Sequence, residues 1–327
     1  MIHRPRIVEA SRTKNRGPVR TLPVLLLAAG LIASLTSCAQ GPFAQGCDSP
    51  VSAGDASAFI TADGAFGTKP TVDFPTPIVT KRTERSTLTP GDGAELREGD
   101  VAVFQYTLLN GTTGDVLSQS DYTGPGTIVT LGDSQTPSVT VGLECSTVGS
   151  RVAIATTAAG AGQGGSGSTD AFVFVIDVLD SFHGKANGAA QIPQAGMPSV
   201  VTAPNGAPGI TIPKEDAPSA LTVNVLQAGT GEKVTAGDHV VVKYTAVLWS
   251  DSSVFDSTWT DGQAKIVELT ASDTVTKGFV EGLIGQRTGS QVLIVAPPAD
   301  GYGDAGSNNV PSGSTLVYVV DLLGLAG

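Results

Sequence analysis

A stretch of this chain occurs twice, and that repeat limits the fold more than any other feature. Leu96-Arg97-Glu98-Gly99-Asp100-Val101-Ala102-Val103-Phe104-Gln105-Tyr106-Thr107 matches Val234-Thr235-Ala236-Gly237-Asp238-His239-Val240-Val241-Val242-Lys243-Tyr244-Thr245. Farther on, Gly142-Leu143 with Val148-Gly149-Ser150-Arg151-Val152 matches Gly282-Leu283 with Thr288-Gly289-Ser290-Gln291-Val292. The run Phe172-Val173-Phe174-Val175-Ile176-Asp177-Val178-Leu179 matches Leu316-Val317-Tyr318-Val319-Val320-Asp321-Leu322-Leu323, and even the leaders Asp63-Gly64-Ala65-Phe66-Gly67 and Asn205-Gly206-Ala207-Pro208-Gly209 correspond. An offset of 138 to 144 residues is the size of a domain, so the 327 residues hold two tandem copies of one module. The Gly/Ala/Pro-rich stretch HGKANGAAQIPQAGMP, residues 183–198, reads as the linker between them.

Within each copy, alternating runs at Val101–Leu109, Val240–Leu248, Gln291–Val295 and Thr315–Leu323 read as strands. Thr276–Ile284 is the one helix candidate of the second copy, with Phe279, Val280, Leu283 and Ile284 for its apolar face. With 41 Gly, 20 Pro and 5% aromatic residues, composition agrees with short strands joined by turns. The expected fold is α+β: in each copy, a twisted antiparallel β-sheet wrapped around one short α-helix.

The N-terminus has a different character. Six basic residues (Arg4, Arg6, Arg12, Lys14, Arg16, Arg20) precede an apolar stretch, Leu22 to Leu35, that is short for a membrane span and right for the core of a signal peptide. The stretch runs into Leu35-Thr36-Ser37-Cys38, which resembles a bacterial lipobox. That resemblance implies cleavage after residue 37, lipidation of Cys38, and anchoring on the outer face of the cell membrane through two or three acyl chains. Residues 38–50 then read as a flexible tether. The alternative is a conventional signal peptide in which Cys38 is incidental.

Lipidation of Cys38 leaves Cys47 and Cys145 as an even pair in an oxidising compartment, so a Cys47–Cys145 disulfide is expected, with two free thiols as the alternative. Without residues 1–37 the formal charge falls from −11 to −16, which excludes nucleic acid as a natural partner, because phosphates would be repelled. The three His (His3, His183, His239) are dispersed, with no ligand-spaced Cys or acid beside them, so no metal site is expected.

The second copy carries Tyr244, Phe255, Asp256, Phe279, Tyr302 and Tyr318, spread over short strands and loops as the walls of an apolar pocket would be. No two of them form an acid–base or nucleophilic set. An enzyme built on them lowers its barrier without covalent chemistry and needs no cofactor.

VVVKYT, SSVFDS, KGFVEGLIGQRTGSQVLIVAPPADGYG and VPSGSTLVYVVDLL, in this order and spacing, resemble an FKBP-type peptidyl-prolyl cis-trans isomerase over about 100 residues of the second copy. Two such modules behind a lipobox resemble a tandem-domain, actinobacterial-like lipoprotein. The resemblance implies a pocket wall of Tyr244, Phe255 and Asp256, a backbone edge at Val275 and Thr276, and Phe279 on the floor where the family usually has Trp. It puts Tyr302 over the rim, Val310 before the last hairpin, and Tyr318 where Phe is usual. It also implies proline-containing segments of exported proteins as substrates and macrolides as inhibitors. Further departures are Lys265 in place of a sheet-edge aromatic, Thr276 in place of Ile, and a short polar loop at Asp304–Asn309. Trp249 and Trp259 read as rim or surface packing.

The first copy keeps Tyr106 and Phe174 but has Leu117 and Ser118 at the Phe255–Asp256 positions, Val139 at the floor, and TAAGAGQGGSGS in place of PPADGYG. That Gly-rich run lacks a phosphate-loop Lys, which argues against nucleotide binding. The chain therefore divides into a signal peptide (1–37), the tether (38–50), a degenerate copy (51–183), a linker (184–198) and the isomerase domain (199–327). The degenerate copy reads as a spacer, a dimer surface or a client-binding surface. The alternative for the whole is a non-catalytic binding lipoprotein that uses both copies.

Overall fold

The architecture comes from a computed structural model that describes residues 47–132, 136–162, 170–272 and 274–327. The signal-peptide and lipobox readings, Cys38 and the tether as far as residue 46 lie outside these residues, as does half of the Gly-rich run of the first copy.

The first copy comprises α1 (Asp55–Ala58), β1 (Thr61–Asp63), β2 (Thr71–Asp73), β3 (Glu84–Thr89), β4 (Val101–Asn110), β5 (Val116–Gln119), β6 (Thr127–Thr130), α2 (Pro137–Leu143), β7 (Arg151–Thr157) and β8 (Ala171–Phe182). The second comprises β9 (Ala189–Ala190), β10 (Ser199–Thr202), β11 (Pro208–Thr211), β12 (Thr222–Ala228), β13 (His239–Leu248), β14 (Val254–Ser257), β15 (Lys265–Glu268), α3 (Lys277–Leu283), β16 (Gln291–Ala296) and β17 (Leu316–Leu325). Both sheets are antiparallel with equivalent orders. One runs β3-β7-β8-β4-β5 with β6 also on β4, and the other runs β9-β12-β16-β17-β13-β14 with β15 also on β13. The paired leaders are short hairpins, β1–β2 and β10–β11.

β16 is buried at every position and β7 at six of seven, so the simple in–out alternation of a one-faced sheet is lost. The reason is that both faces are covered. On one face lies the helix, with Phe279, Val280 and Leu283 of α3 packed against Val292 and Ile294. On the other face of the second sheet, Val200, Ile210, Ile212 and Met197 cover Leu293, Val295, Val317 and Val319. In the first copy Ala56, Ile60, Phe74 and Ile78 do the same over Ala153, Ala155, Val173 and Val175.

Two details differ from the sequence reading, and the cysteine pairing agrees with it. Helix α3 stops at Leu283, and Ile284 at its C-cap is 38% exposed instead of sharing the apolar face. The linker is half built into the second copy: Ala186 donates its N–H to Asp321 Oδ2 at 2.9 Å, Gly188 donates to the Gly289 carbonyl at 3.0 Å, and β9 pairs with the edge strand β12. Small residues allow that close backbone approach, which is why the segment looked like a spacer. Cys47 and Cys145 are joined by a disulfide with Cα atoms 5.4 Å apart.

The two copies share an apolar seam. Val101 and Val103 of β4, Ile128, Leu179 and Phe182 pack against Val241, Ala264, Ile266, Leu323 and Ala326. A Cβ at Gly324 would strike the Phe182 ring, so glycine is what lets the two copies meet there. Thr130 adds two hydrogen bonds across the seam, its N–H to Gln263 Oε1 at 3.3 Å and its hydroxyl to the Gly262 carbonyl at 3.1 Å. Residues 47–327 accordingly form one compact unit.

Candidate functional site

Between α3 and the concave face of the second sheet is a narrow cavity of about 50 Å³, lined by Tyr244, Phe255, Asp256, Val267, Thr274, Val275, Thr276, Phe279, Tyr302 and Tyr318. Its parts arrive from distant elements. Tyr244 and Tyr318 stand on adjacent central strands, where Tyr244 pairs with Val320 and Ala246 with Tyr318. Thr276 caps α3, its hydroxyl accepting the Phe279 N–H at 3.4 Å, and this fixes the first turn that carries Phe279.

Phe279 forms the floor. Its ring meets Tyr318 edge-on at 5.4 Å and Tyr244 at 5.8 Å, while Phe255 meets Tyr318 at 6.0 Å. These edge-to-face contacts hold the walls in one arrangement. Tyr302 stands in the turn after the short 3₁₀ segment Pro298–Asp300 and packs half-buried against the same core.

Polar groups hold the rim. The Tyr244 hydroxyl donates to Asp256 Oδ2 at 2.5 Å and accepts from Lys265 Nζ at 3.1 Å, and Lys265 lies 3.5 Å from Asp256 Oδ1. Asp256 is thus occupied by a phenol and a cation. The Tyr318 and Thr276 hydroxyls lie 3.1 Å apart. Burial first, then the neighbouring Asp256, pushes the Tyr244 phenol well above its ordinary range; burial likewise raises Tyr318 and, less strongly, Tyr302. Among the described residues nothing accepts the Thr276 N–H or bonds the Tyr302 hydroxyl, so two donors remain free at the cavity mouth.

Eight of the nine residues expected from the sequence line this cavity, and Val310 does not. It is 3% exposed in the core beneath the Ser307–Val310 turn, where Tyr302 packs against the same cluster. An apolar side chain preceding Pro311 is taken up by the interior and supports the Tyr302 loop from behind. Val267 and Thr274 were not anticipated. Val267 lies on the short edge strand β15 and Thr274 in an irregular turn, and neither segment has a periodicity that aims a side chain.

A narrow aromatic slot with free donors at its mouth and, among the described residues, no nucleophile–base pair is the site of a protein that binds a small ring and acts on it without covalent chemistry. A family model described as FKBP-type peptidyl-prolyl cis-trans isomerase matches residues 230–323, spanning every residue of the slot. The probable FK506-binding protein of Corynebacterium glutamicum is 33% identical over 116 residues, which are 36% of this chain and 96% of that protein. The FKBP-type peptidyl-prolyl cis-trans isomerase FkpA of Escherichia coli is 38% identical over 105 residues, 32% of this chain and 37% of its own length. The crystal structure of FkpA superposes with a TM-score of 0.31 at 33% identity, over 41% of this chain and 53% of that one. The chain belongs to the FKBP-type peptidyl-prolyl cis-trans isomerase family and is a peptidyl-prolyl isomerase.

Proposed function

We propose that the second copy carries the isomerase activity, in the slot floored by Phe279, and that it serves exported proteins from the outer face of a bacterial cell membrane. The observation that carries the first part is the convergence of three edge-to-face aromatics with two free donors, at Thr276 and Tyr302.

An X-Pro bond resists rotation by about 18–20 kcal/mol because twisting destroys amide resonance. The proline ring enters between Tyr244, Phe255 and Tyr318 and rests on Phe279. The Thr276 N–H donates to a peptide carbonyl beside the proline, and the Tyr302 hydroxyl donates to the next. A twisted amide is less resonant and less polar than a planar one, so a slot walled by aromatic rings favours it. Asp256 orients Tyr244 and is no base, since Tyr244 and Lys265 already take its two oxygens. Each tenfold of rate requires about 1.4 kcal/mol of such preference.

Exchange of a proline tetrapeptide, followed by NMR with the full chain, tests this. Tyr302→Phe is expected to lower kcat/KM about tenfold, by loss of one hydrogen bond, and Phe255→Ala by more. Wild-type rates in both variants would refute the slot.

Location rests on Leu35-Thr36-Ser37-Cys38 after an apolar stretch, with the Cys47–Cys145 disulfide as support for an oxidising compartment. In bacterial cells, Cys38→Ser should move the protein from the membrane to the soluble exported fraction. Equal membrane retention of both forms would remove the lipid anchor from the proposal.

A further inference from the structure

The first copy has the larger cavity. At the place equivalent to the slot it encloses about 420 Å³, against about 50 Å³ in the second copy. The cause is legible in the repeat. Val139 stands where Phe279 does, so no ring fills the floor, and Leu117, at the Phe255 position, turns outward and is 50% exposed. Two aromatic walls remain, Tyr106 and Phe174, with Phe104 beside them.

The chemistry of the lining is also changed. Among the described residues, no charged side chain lines it. Ser118 replaces Asp256, and its hydroxyl lies 3.0 Å from the Tyr106 hydroxyl, preserving the tyrosine's contact without the negative charge. Among the described residues, the one lining residue from the other copy is Gln263. Its Oε1 is anchored by the Thr130 N–H across the seam, while its Nε2 is buried with no partner among the described residues. A buried amide N–H left unpaired costs roughly 1–3 kcal/mol, which an incoming acceptor would recover.

An uncharged cavity of this size, with aromatic walls and one orphan donor, suits a large apolar side chain next to a peptide carbonyl. It does not suit catalysis. The sequence TAAGAGQGGSGS has no aromatic to stand for Tyr302, and Val139 leaves no floor ring to seat a proline, so a bound segment is held without being twisted.

We infer that the first copy is a second binding site, which takes a large apolar side chain of a neutral, extended peptide and is completed by Gln263 of the other copy. This site does not depend on where the isomerisation occurs.

Its test uses the full chain and a fluorescein-labelled, proline-free, uncharged heptapeptide with a central Phe, titrated by fluorescence anisotropy. Wild type and Tyr302→Ala should bind it alike. Val139→Phe fills the cavity and should weaken binding at least tenfold while leaving the proline tetrapeptide turned over at the wild-type rate. Gln263→Leu should weaken binding about fivefold, and it decides the matter if thermal unfolding shows that Val139→Phe does not fold. A heptapeptide with Glu in place of the central Phe should not bind. Absence of binding by wild type, loss of binding in Tyr302→Ala, or wild-type affinity in a folded Val139→Phe or in Gln263→Leu would overturn the inference.

Discussion

Three phenols face the slot, and all three are shifted in the same direction. A raised pKa keeps the neutral, donating form to higher pH, so Tyr302 and Tyr244 remain donors at and above the ordinary phenol value of about 10. The kcat/KM for a proline tetrapeptide should therefore change less than twofold between pH 7 and about 9.5. A decline centred below pH 9 would contradict this. The same sign applies to stability. The folded state holds phenolic protons that the unfolded chain releases first, so this contribution is complete below about pH 10 and lost as pH rises above it. Side-chain identity was a good guide here because Tyr244, Phe255, Asp256 and Tyr302 lie in short motifs with fixed spacing. It was poor for Lys265, which the sequence marked only as a departure and which proves to bridge Tyr244 and Asp256. Cys145 is a residue whose backbone could be anticipated from its partner in the repeat. It has φ +63° where Gly285 has +87°, and each donates its N–H at 2.9 Å, to Leu96 and Val234. A non-glycine residue rarely adopts that conformation, and here the disulfide and the hydrogen bond hold it.

At the level of elements, α3 sits as close to its sheet as it does because of Gly278 and Gly282, four residues apart on its inner face. A Cβ at Gly278 would fall 2.6 Å from the Ala296 Cβ and 3.0 Å from the Asp300 carbonyl oxygen, neither of which can swing aside. Gly278→Ala gains about 1 kcal/mol in helix propensity and loses roughly 1–3 kcal/mol to overpacking. The net expectation in urea unfolding is a destabilised protein, with kcat/KM reduced severalfold because Phe279 is displaced with the helix. A variant as stable and active as wild type would show that the helix floats free of the sheet. Strands were readable where a long apolar run marks them, as in β4 and β13, both buried along nearly their whole length. The edge strands β5, β14 and β15 were not, since four residues carry too little periodicity to be told from a turn. The linker misled for a related reason: a Gly/Ala-rich composition suits both a loose spacer and a backbone pressed against a sheet edge.

For the whole molecule, the repeat announced two domains but gave no sign that they dock, because Val101, Val103 and Val241 look like ordinary strand residues. With that seam closed, the two copies should unfold in one calorimetric transition, and Val101→Asp should lower stability by about 3 kcal/mol or more by planting an unpaired charge in it. Two transitions in the wild-type protein would mean that the seam contributes little. The disulfide acts at the same scale. It spans 98 residues, a loop for which chain entropy gives about 4–5 kcal/mol, and reduction should remove stability without slowing the isomerase. The seam also bears on whether either half can stand alone. A gene shortened to its second half would encode a product whose Val241, Ala264, Leu323 and Ala326 face water, a patch inviting self-association. Each half is thus a condition for the other's solubility: neither can be cut away without uncovering the apolar surface that its neighbour now keeps from water.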